Sequence, residues 1–189
     1  MDGWQRFKEA TERKKCPRPI PNQNPEKWLP LKEILYKANV DAALDRGCGR
    51  GCGLIIRDSK GDQMVAACVR TEANWDAETT ETYVVFQGLK IAREAGIQDL
   101  VMESEALRVV QALQGSKRRS CASIFINKAL SLVPCFNIVS FCHVNSSANS
   151  VAHELAKHAL CLEGETVWLE KGPSCIASLV EKEKPFVVT

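Results

Sequence analysis

Residues 37–70 read KANVDAALDRGCGRGCGLIIRDSKGDQMVAACVR. Three short apolar segments in this stretch, 37–44, 51–57 and 63–70, are separated by breaks that are rich in glycine, arginine and aspartate. Breaks of this kind favour tight turns between neighbouring strands. We therefore predict three consecutive antiparallel strands.

After these strands the apolar spacing becomes that of helices and single strands. Residues 77–95 carry an apolar helical stripe, and Gly96 follows as a stop signal. The further predicted elements are a strand at 100–103, helices after Ser104 and at 120–133, a strand at 136–144, and a last helix capped by 145–147. The order predicts an α/β fold with a five-stranded mixed sheet, in which three antiparallel strands precede two strands with helical crossovers, flanked by helices.

The length of 189 residues and the 45% hydrophobic content are enough for one substantial core. Residues 1–30 contain five of the eight prolines among charged and polar residues, a composition that cannot bury much apolar surface. We predict a flexible leader over 1–30, one domain over 31–168 and a C-terminal tail over 169–189.

Charge is distributed unevenly along the chain. Residues 1–37 carry nine Lys/Arg and five acidic residues, 38–162 carry thirteen of each, and 163–189 carry three Lys/Arg and five acidic residues. Because residues 38–162 carry equal numbers of basic and acidic residues, they lack the large excess of positive charge that is typical of a dedicated nucleic-acid-binding protein. One cationic cluster, Lys117-Arg118-Arg119, is either a solvated loop or a contact for phosphates.

The cellular setting is also constrained by the sequence. The nine cysteines are scattered without a CxxC pair, which indicates reduced thiols. The sequence has no run of 18 apolar residues and begins with a charged stretch, so we expect neither a membrane helix nor a secretory signal. The expectation is an intracellular protein, nuclear or cytoplasmic.

Several carboxylates occupy unusual places in the predicted elements. Asp41 lies inside the first strand among small and apolar residues, and Glu81 falls on the apolar stripe of its helix. Glu103 and Glu105 flank the end of the fourth strand, where open sheets commonly place ligand sites. Each acid also has a structural explanation, such as an ion pair or a helix N-terminus. Their joint occurrence on neighbouring elements favours a shared site.

Five motifs in order resemble the ribonuclease H-like domains that are abundant in plants and that also occur at the ends of retroelement reverse transcriptases. The motifs are Trp28…Pro30…Lys37-Ala38-Asn39-Val40-Asp41, Arg57-Asp58-Ser59-Lys60-Gly61, Glu81…Gly88-Leu89, Glu103-Ser104-Glu105, and His143-Val144…Asn149…Ala152-His153…Leu155-Ala156. The resemblance covers residues 28–168 and implies the ribonuclease H-like fold. It also makes a domesticated retroelement fragment a plausible origin.

The resemblance further implies a function, which is metal-dependent endonucleolytic hydrolysis of RNA in RNA–DNA hybrids. The implied catalytic positions are Asp41, Glu81, Glu105 and His153, and the implied metal ligands are Asp41, Glu81 and Glu105. Such carboxylates hold Mg²⁺, with Mn²⁺ as an alternative. If the domain binds nucleic acid, we expect Asn149, the loop residues Lys117, Arg118 and Arg119, and backbone amides at the sheet edge to hold the phosphates.

Two positions depart from the family pattern, because Glu105 and His153 both stand where the family has Asp. A longer side chain displaces the carboxylate by roughly a methylene, and a misplacement of about 1 Å can cost a hundredfold in rate. An imidazole removes a negative charge and suits Mn²⁺ or Zn²⁺ better than Mg²⁺. Three hypotheses follow: an impaired hybrid ribonuclease, a domain that binds nucleic acid without cleaving it, and a protein-interaction domain.

Overall fold

The computed structural model describes residues 28–29, 35–45, 49–115 and 123–184, and these residues form six strands and five α-helices. The strands are β1 (Tyr36–Leu44), β2 (Arg50–Arg57), β3 (Gln63–Thr71), β4 (Asp99–Ser104), β5 (Ile138–His143) and β6 (Glu165–Leu169). The helices are α1 (Ala77–Glu94), α2 (Leu107–Leu113), α3 (Ser123–Leu132), α4 (Ser150–Ala159) and α5 (Ser174–Glu183). Short 3-10 turns lie at Val133–Cys135 and Ser146–Ala148.

All six described strands belong to one mixed sheet with the order β5-β4-β1-β2-β3-β6. β1, β2 and β3 form an antiparallel meander, whereas β4 runs parallel to β1 and β5 runs parallel to β4. β6 pairs with β3 in the antiparallel direction. The parallel strands β1, β4 and β5 therefore end at the same edge of the sheet, and Asp41 and Glu105 lie toward that edge.

The turn between β2 and β3 shows why the predicted break forms. One carboxylate oxygen of Asp58 accepts hydrogen bonds from the backbone amides of Lys60 and Asp62, both at 2.9 Å. Gly61 has a φ of 83°, which residues with a side chain rarely adopt. The local sequence thus specifies the turn, as is usual for Asp and Gly in such positions.

Alternate residues along each strand face two different layers of helices. On β3, Val65, Ala67 and Val69 belong to a core cluster with α1, α2 and α3. The residues between them, Ala66 and Cys68, belong to a second cluster with α4 and α5. The sheet is therefore covered on both faces, which explains why its central strands are apolar on both sides.

Helix α4 packs directly on the backbone of β2. A Cβ atom on Gly53 would lie 2.3 Å from the Ala152 carbonyl oxygen and 2.3 Å from the Ala156 amide nitrogen, which is far closer than atoms tolerate. Gly51 has a similar relation to the Ala156 carbonyl, at 2.1 Å. These glycines let α4 lie against the backbone of β2 along Ala152 and Ala156.

The α/β fold with a mixed sheet flanked by helices agrees with the prediction, but the predicted number of strands was wrong. β6 is the additional strand among the described residues, and it lies at the edge of the sheet with Glu165, Val167 and Leu169 exposed. Because Val167 and Leu169 are apolar although they are exposed, β6 lacks the alternation of apolar and polar residues that predicts a half-buried strand. None of the helices in the described residues is both long and apolar enough to cross a membrane.

Two segments outside the predicted core of the chain contact the sheet. Of the predicted leader, only Trp28 and Leu29 are described; Trp28 is 2% exposed, and the Arg57 guanidinium carbon lies 3.9 Å from its ring centroid. In the segment 169–189, predicted as a tail, α5 buries Ile176 and Val180 in the second cluster. Both segments therefore contribute contacts to the packed structure.

Candidate active site

Asp41 lies in β1, the strand between β2 and β4 in the sheet. Its side chain is buried, and one carboxylate oxygen, Oδ2, is 2.7 Å from Nδ1 of His153. Burial raises the pKa of Asp41, although the hydrogen bond to His153 and the charge of that imidazole act in the opposite direction. Since an ionised carboxylate can only accept, Nδ1 carries the proton whenever Asp41 is charged.

Glu81 reaches the same region from the first turns of α1. Asp76 caps this helix by accepting a hydrogen bond from the Thr79 amide at 2.7 Å, which sets where the helix begins. The Oε2 atom of Glu81 is buried and has no hydrogen-bond partner among the described residues. Burial is the largest cause that raises the pKa of Glu81, and together with the charges of Asp41 and Glu105 it brings this pKa to about 8.

Glu105 immediately follows β4 and is the third carboxylate of the group. The pKa of Glu105 is raised overall, because burial and the charge of Asp41 outweigh the hydrogen bond from Asn149 and the charges of the nearby histidines, which lower it. Nδ2 of Asn149 donates to Oε1 of Glu105 at 3.2 Å. The charge of Asp41 therefore raises the pKa of both glutamates. Because the three negative charges repel one another, a bound cation would stabilise their ionised forms.

Helix α4 supplies the two polar side chains that contact these acids. Asn149, its N-cap, is 1% exposed, and its Nδ2 also donates to the Val40 carbonyl oxygen of β1 at 3.0 Å. His153 lies one turn further along the helix, and its side chain is 49% exposed. Asn149 thus orients Glu105 from within, whereas His153 connects Asp41 to the surface.

Glu103 has a different environment, although it is only two residues from Glu105. Its Oε1 forms a buried ion pair with Lys37 at 2.8 Å, and its Oε2 accepts a hydrogen bond from Asn39 at 2.8 Å. Both oxygens are therefore used inside the protein. Of the two acids that the sequence left as alternatives, Glu105 is the one whose charge acts on Glu81.

The donor chemistry of the site fits a hard divalent cation in part. Three carboxylates supply the oxygen ligands that Mg²⁺ prefers, and the buried Oε2 of Glu81 lacks a partner in the part of the chain that the structure describes. However, within the described residues no group of three or more His, Cys, Asp or Glu side chains is placed to hold a metal ion. One oxygen of Asp41 is engaged by His153. Coordination by all three acids would require their side chains to converge further.

The residues predicted to contact nucleic acid have different outcomes. Lys117, Arg118 and Arg119 lie outside the described residues. The Nδ2 atom of Asn149 donates inside the protein and its Oδ1 atom is buried without a hydrogen-bond partner among the described residues, so a direct contact with nucleic acid would first have to expose this side chain. Its role in binding stays a prediction.

Two connections near the site were missed from the sequence. The bond between Asp41 and His153 joins residues 112 positions apart, and an ion pair between Arg57 and Glu183 joins residues 126 positions apart. The position of Asp41 in an apolar strand signalled a partner or ligand, but not which one. Glu183 lies in the segment predicted as a tail, and the sequence offers no local signal for its role.

Comparisons with known proteins agree with this architecture. The model of the reverse transcriptase-like family matches residues 39–159. Among curated proteins, none matches the chain at a significant level.

Several solved structures are similar to this chain. RNase H1 from the halophilic archaeon Halobacterium salinarum is 21% identical with a TM-score of 0.62, covering 67% of this chain and 98% of that one. The N-terminal RNase H domain of Rv2228c from Mycobacterium tuberculosis is 17% identical with a TM-score of 0.61, covering 67% and 94%. LC11-RNase H1, solved in complex with an RNA/DNA hybrid, is 17% identical with a TM-score of 0.56, covering 67% and 96%.

At these identities the likeness to solved structures shows the fold alone, and it confirms the predicted ribonuclease H-like fold. The family match is independent of the structural likeness and extends over more than half of the chain, from Asn39 in β1 to Ala159 at the end of α4. It includes all of Asp41, Glu81, Glu105 and His153. The chain therefore belongs to the reverse transcriptase-like family.

Proposed function

We propose that this domain binds RNA–DNA hybrids over Asp41, Glu81 and Glu105, and hydrolyses the RNA strand with divalent metal ions. The observation that supports the proposal is the placement of carboxylates from β1, α1 and the end of β4 near enough for the charge of Asp41 to raise the pKa of both Glu81 and Glu105. Holding like charges together is unfavourable without a cation, and perturbed acids in one place commonly mark functional sites.

The three carboxylates would hold the metal, and Mg²⁺ or Mn²⁺ suits their oxygen ligands. A bound divalent ion would stabilise the negative charge that develops on the phosphate during hydrolysis. Asn149 holds Glu105 toward the site through its Nδ2 and ties the start of α4 to β1. Asp41 is buried and Glu81 and Glu105 are half-buried, which limits the access of bulk water to their oxygens.

His153 lowers the expected rate. Its Nδ1 atom engages Oδ2 of Asp41 at 2.7 Å and so competes with a cation for that oxygen. An imidazole also contributes no negative charge to the site. We therefore expect slow hydrolysis, and Mn²⁺ should support it better than Mg²⁺ if the imidazole of His153 leaves Asp41 and offers a nitrogen to the metal.

The same contact favours a second function, which is binding of nucleic acid without cleavage. In this case the bond between His153 and Asp41 replaces the metal as the partner of the carboxylate. The similar fold of LC11-RNase H1, solved with a hybrid bound, supports binding in either case. An origin from a plant retroelement, which the sequence resemblance implies, stays a prediction.

A cleavage assay separates the two functions. A labelled RNA–DNA hybrid would be incubated with the wild-type chain, Asp41→Asn and the control Glu154→Gln, each with Mg²⁺ and with Mn²⁺. Glu154 lies in α4 beside His153, but its side chain is partly exposed and pairs with Lys157 at 3.1 Å. We expect cleavage by the wild type and the control, and loss of cleavage in Asp41→Asn.

Other outcomes decide between the alternatives. Salt-dependent affinity for the hybrid without cleavage by the wild type would support the binding function and reject hydrolysis. Equal cleavage by the wild type and Asp41→Asn would reject hydrolysis at this site. Absence of both binding at low salt and cleavage would reject both functions.

A further inference from the structure

Helix α4 carries the two side chains that are hydrogen-bonded to Glu105 and Asp41. Asn149 at its N-cap donates to Glu105, and His153, one turn along, is hydrogen-bonded to Asp41. A helix moves largely as one unit over a single turn. A displacement of the start of α4 would therefore alter both contacts together.

The start of α4 is held by the last residue of α5. The hydroxyl of Ser150, the first residue of α4, donates to Oε1 of Glu183. The other carboxylate oxygen of Glu183, Oε2, lies 2.6 Å from Nη1 of Arg57 on β2. One carboxylate thus joins the first residue of the helix to the sheet.

Arg57 provides a rigid anchor for this link. The residue is 1% exposed, and its Nη2 atom donates to Oδ1 of Asn39 at 2.7 Å. Asn39 donates in turn to Glu103 on β4, the strand that leads into Glu105. A buried guanidinium needs an anion nearby, and Glu183 supplies it. The position of the Glu183 carboxylate is therefore set by the sheet.

We infer that Glu183 is a positioning residue for the candidate site. It acts through a relay, defined as Arg57, Glu183 and Ser150, that fixes the start of α4 and so the placement of Asn149 and His153. The inference deepens the proposed function and rests on it for its catalytic consequence. It also assigns a role to α5, which lies beyond the residues 39–159 that match the family.

The apolar contacts of α5 do not explain this arrangement by themselves. Ile176 and Val180 pack with Leu155 in the second cluster, and such contacts hold two helices together without specifying a direction. The bond from Ser150 to Glu183 is directional and acts at the end of α4 that faces the site. Its loss should loosen the start of the helix while the apolar contacts persist.

Ser150→Ala is the variant that tests the relay, because it removes the hydroxyl and keeps the ion pair between Arg57 and Glu183. Glu183→Gln would leave the buried Arg57 charge without its anion, so loss of folding is an expected result there. Ser150→Thr retains a hydroxyl and is the conservative rescue. Glu181→Gln is the matched control in α5, since the Glu181 side chain is 74% exposed and pairs with Lys184.

The first readout is the rate of hydrogen exchange of the Asn149 side-chain amide, which NMR measures in the full chain. Its Nδ2 protons are buried and donate to Val40 and Glu105, so they should exchange slowly in the wild type. We expect exchange about fivefold faster in Ser150→Ala, the factor that corresponds to one ordinary hydrogen bond. Ser150→Thr and Glu181→Gln should match the wild type. Wild-type exchange in Ser150→Ala would overturn the inference.

The second readout is the affinity for an RNA–DNA hybrid under the same conditions. We expect weaker binding in Ser150→Ala and wild-type binding in Ser150→Thr. If the wild type binds no hybrid, the proposed function fails, whereas the exchange measurement still decides whether the relay positions Asn149. Faster exchange with unchanged affinity would overturn the functional part of the inference.

Discussion

Replacing Glu81 with Gln should remove a large part of the pH dependence of stability. In the folded chain burial and the neighbouring acids raise the pKa of Glu81 to about 8, from an ordinary value of 4.5. The unfolded chain releases this proton near the ordinary value, whereas the folded chain retains it until the pH approaches 8. Between these values the folded state binds more protons, so its stability falls as the pH rises.

The size of the effect follows from the two pKa values. Each pKa unit corresponds to about 1.36 kcal/mol, which gives roughly 5 kcal/mol as an upper bound for the cost of ionising Glu81 in the folded state. The side chain is only partly buried, so solvent screening reduces this figure, and we expect a loss of about 2–4 kcal/mol. Glu81→Gln cannot ionise and should avoid this loss.

Urea unfolding at a series of pH values from about 5 to about 9 measures the free energy of unfolding directly. Near the acidic end, where Glu81 is protonated, wild type and Glu81→Gln should have similar stability. Near the basic end the variant should be the more stable of the two, and Glu154→Gln should follow the wild type. Parallel pH profiles for the wild type and Glu81→Gln would refute the reasoning.

Three further predictions concern other parts of the site and its support. Gly53→Ala should lower the free energy of unfolding by about 3 kcal/mol or more, because its Cβ would meet the backbone of α4 at 2.3 Å; an unchanged urea midpoint would contradict this. Glu103→Ala should cost about 3–5 kcal/mol by leaving its buried lysine partner unpaired, whereas Glu105→Ala should cost much less; equal losses in urea unfolding would contradict the different roles assigned to the two acids. His153→Asp should raise hybrid cleavage by about tenfold or more, since it frees Asp41 and restores a carboxylate; a lower rate than wild type would count against the proposed inhibition.

The fold could be predicted from the sequence where local chemistry specifies it. The Asp- and Gly-containing turn at Asp58 and Gly61 explains the hairpin between β2 and β3. The apolar stripe of α1 follows from its spacing, because a helix with one buried face repeats its apolar positions every three or four residues. β6 was missed because its exposed positions include the apolar residues Val167 and Leu169, so the alternation of apolar and polar residues that marks a half-buried strand is absent.

The candidate site could be predicted only in part, for a related reason. Asp41 and Glu81 stand out because carboxylates in apolar settings require a partner or a ligand. Which partner Asp41 has depends on where α4 meets β1, and that position is set by Gly51 and Gly53 on a different strand. The ion pair of Arg57 with Glu183 similarly depends on long-range packing that no local pattern encodes.

Thermal melting during a titration with Mg²⁺ or Mn²⁺ tests most directly whether the three carboxylates share a cation. An ion that binds only the folded chain stabilises it, by about 2.7 kcal/mol at a hundred times its dissociation constant. We predict that the melting temperature of the wild type rises with metal concentration and that the rise is lost in Asp41→Asn. A melting temperature that stays constant in the wild type, or that rises equally in Asp41→Asn, would contradict a metal site at these residues.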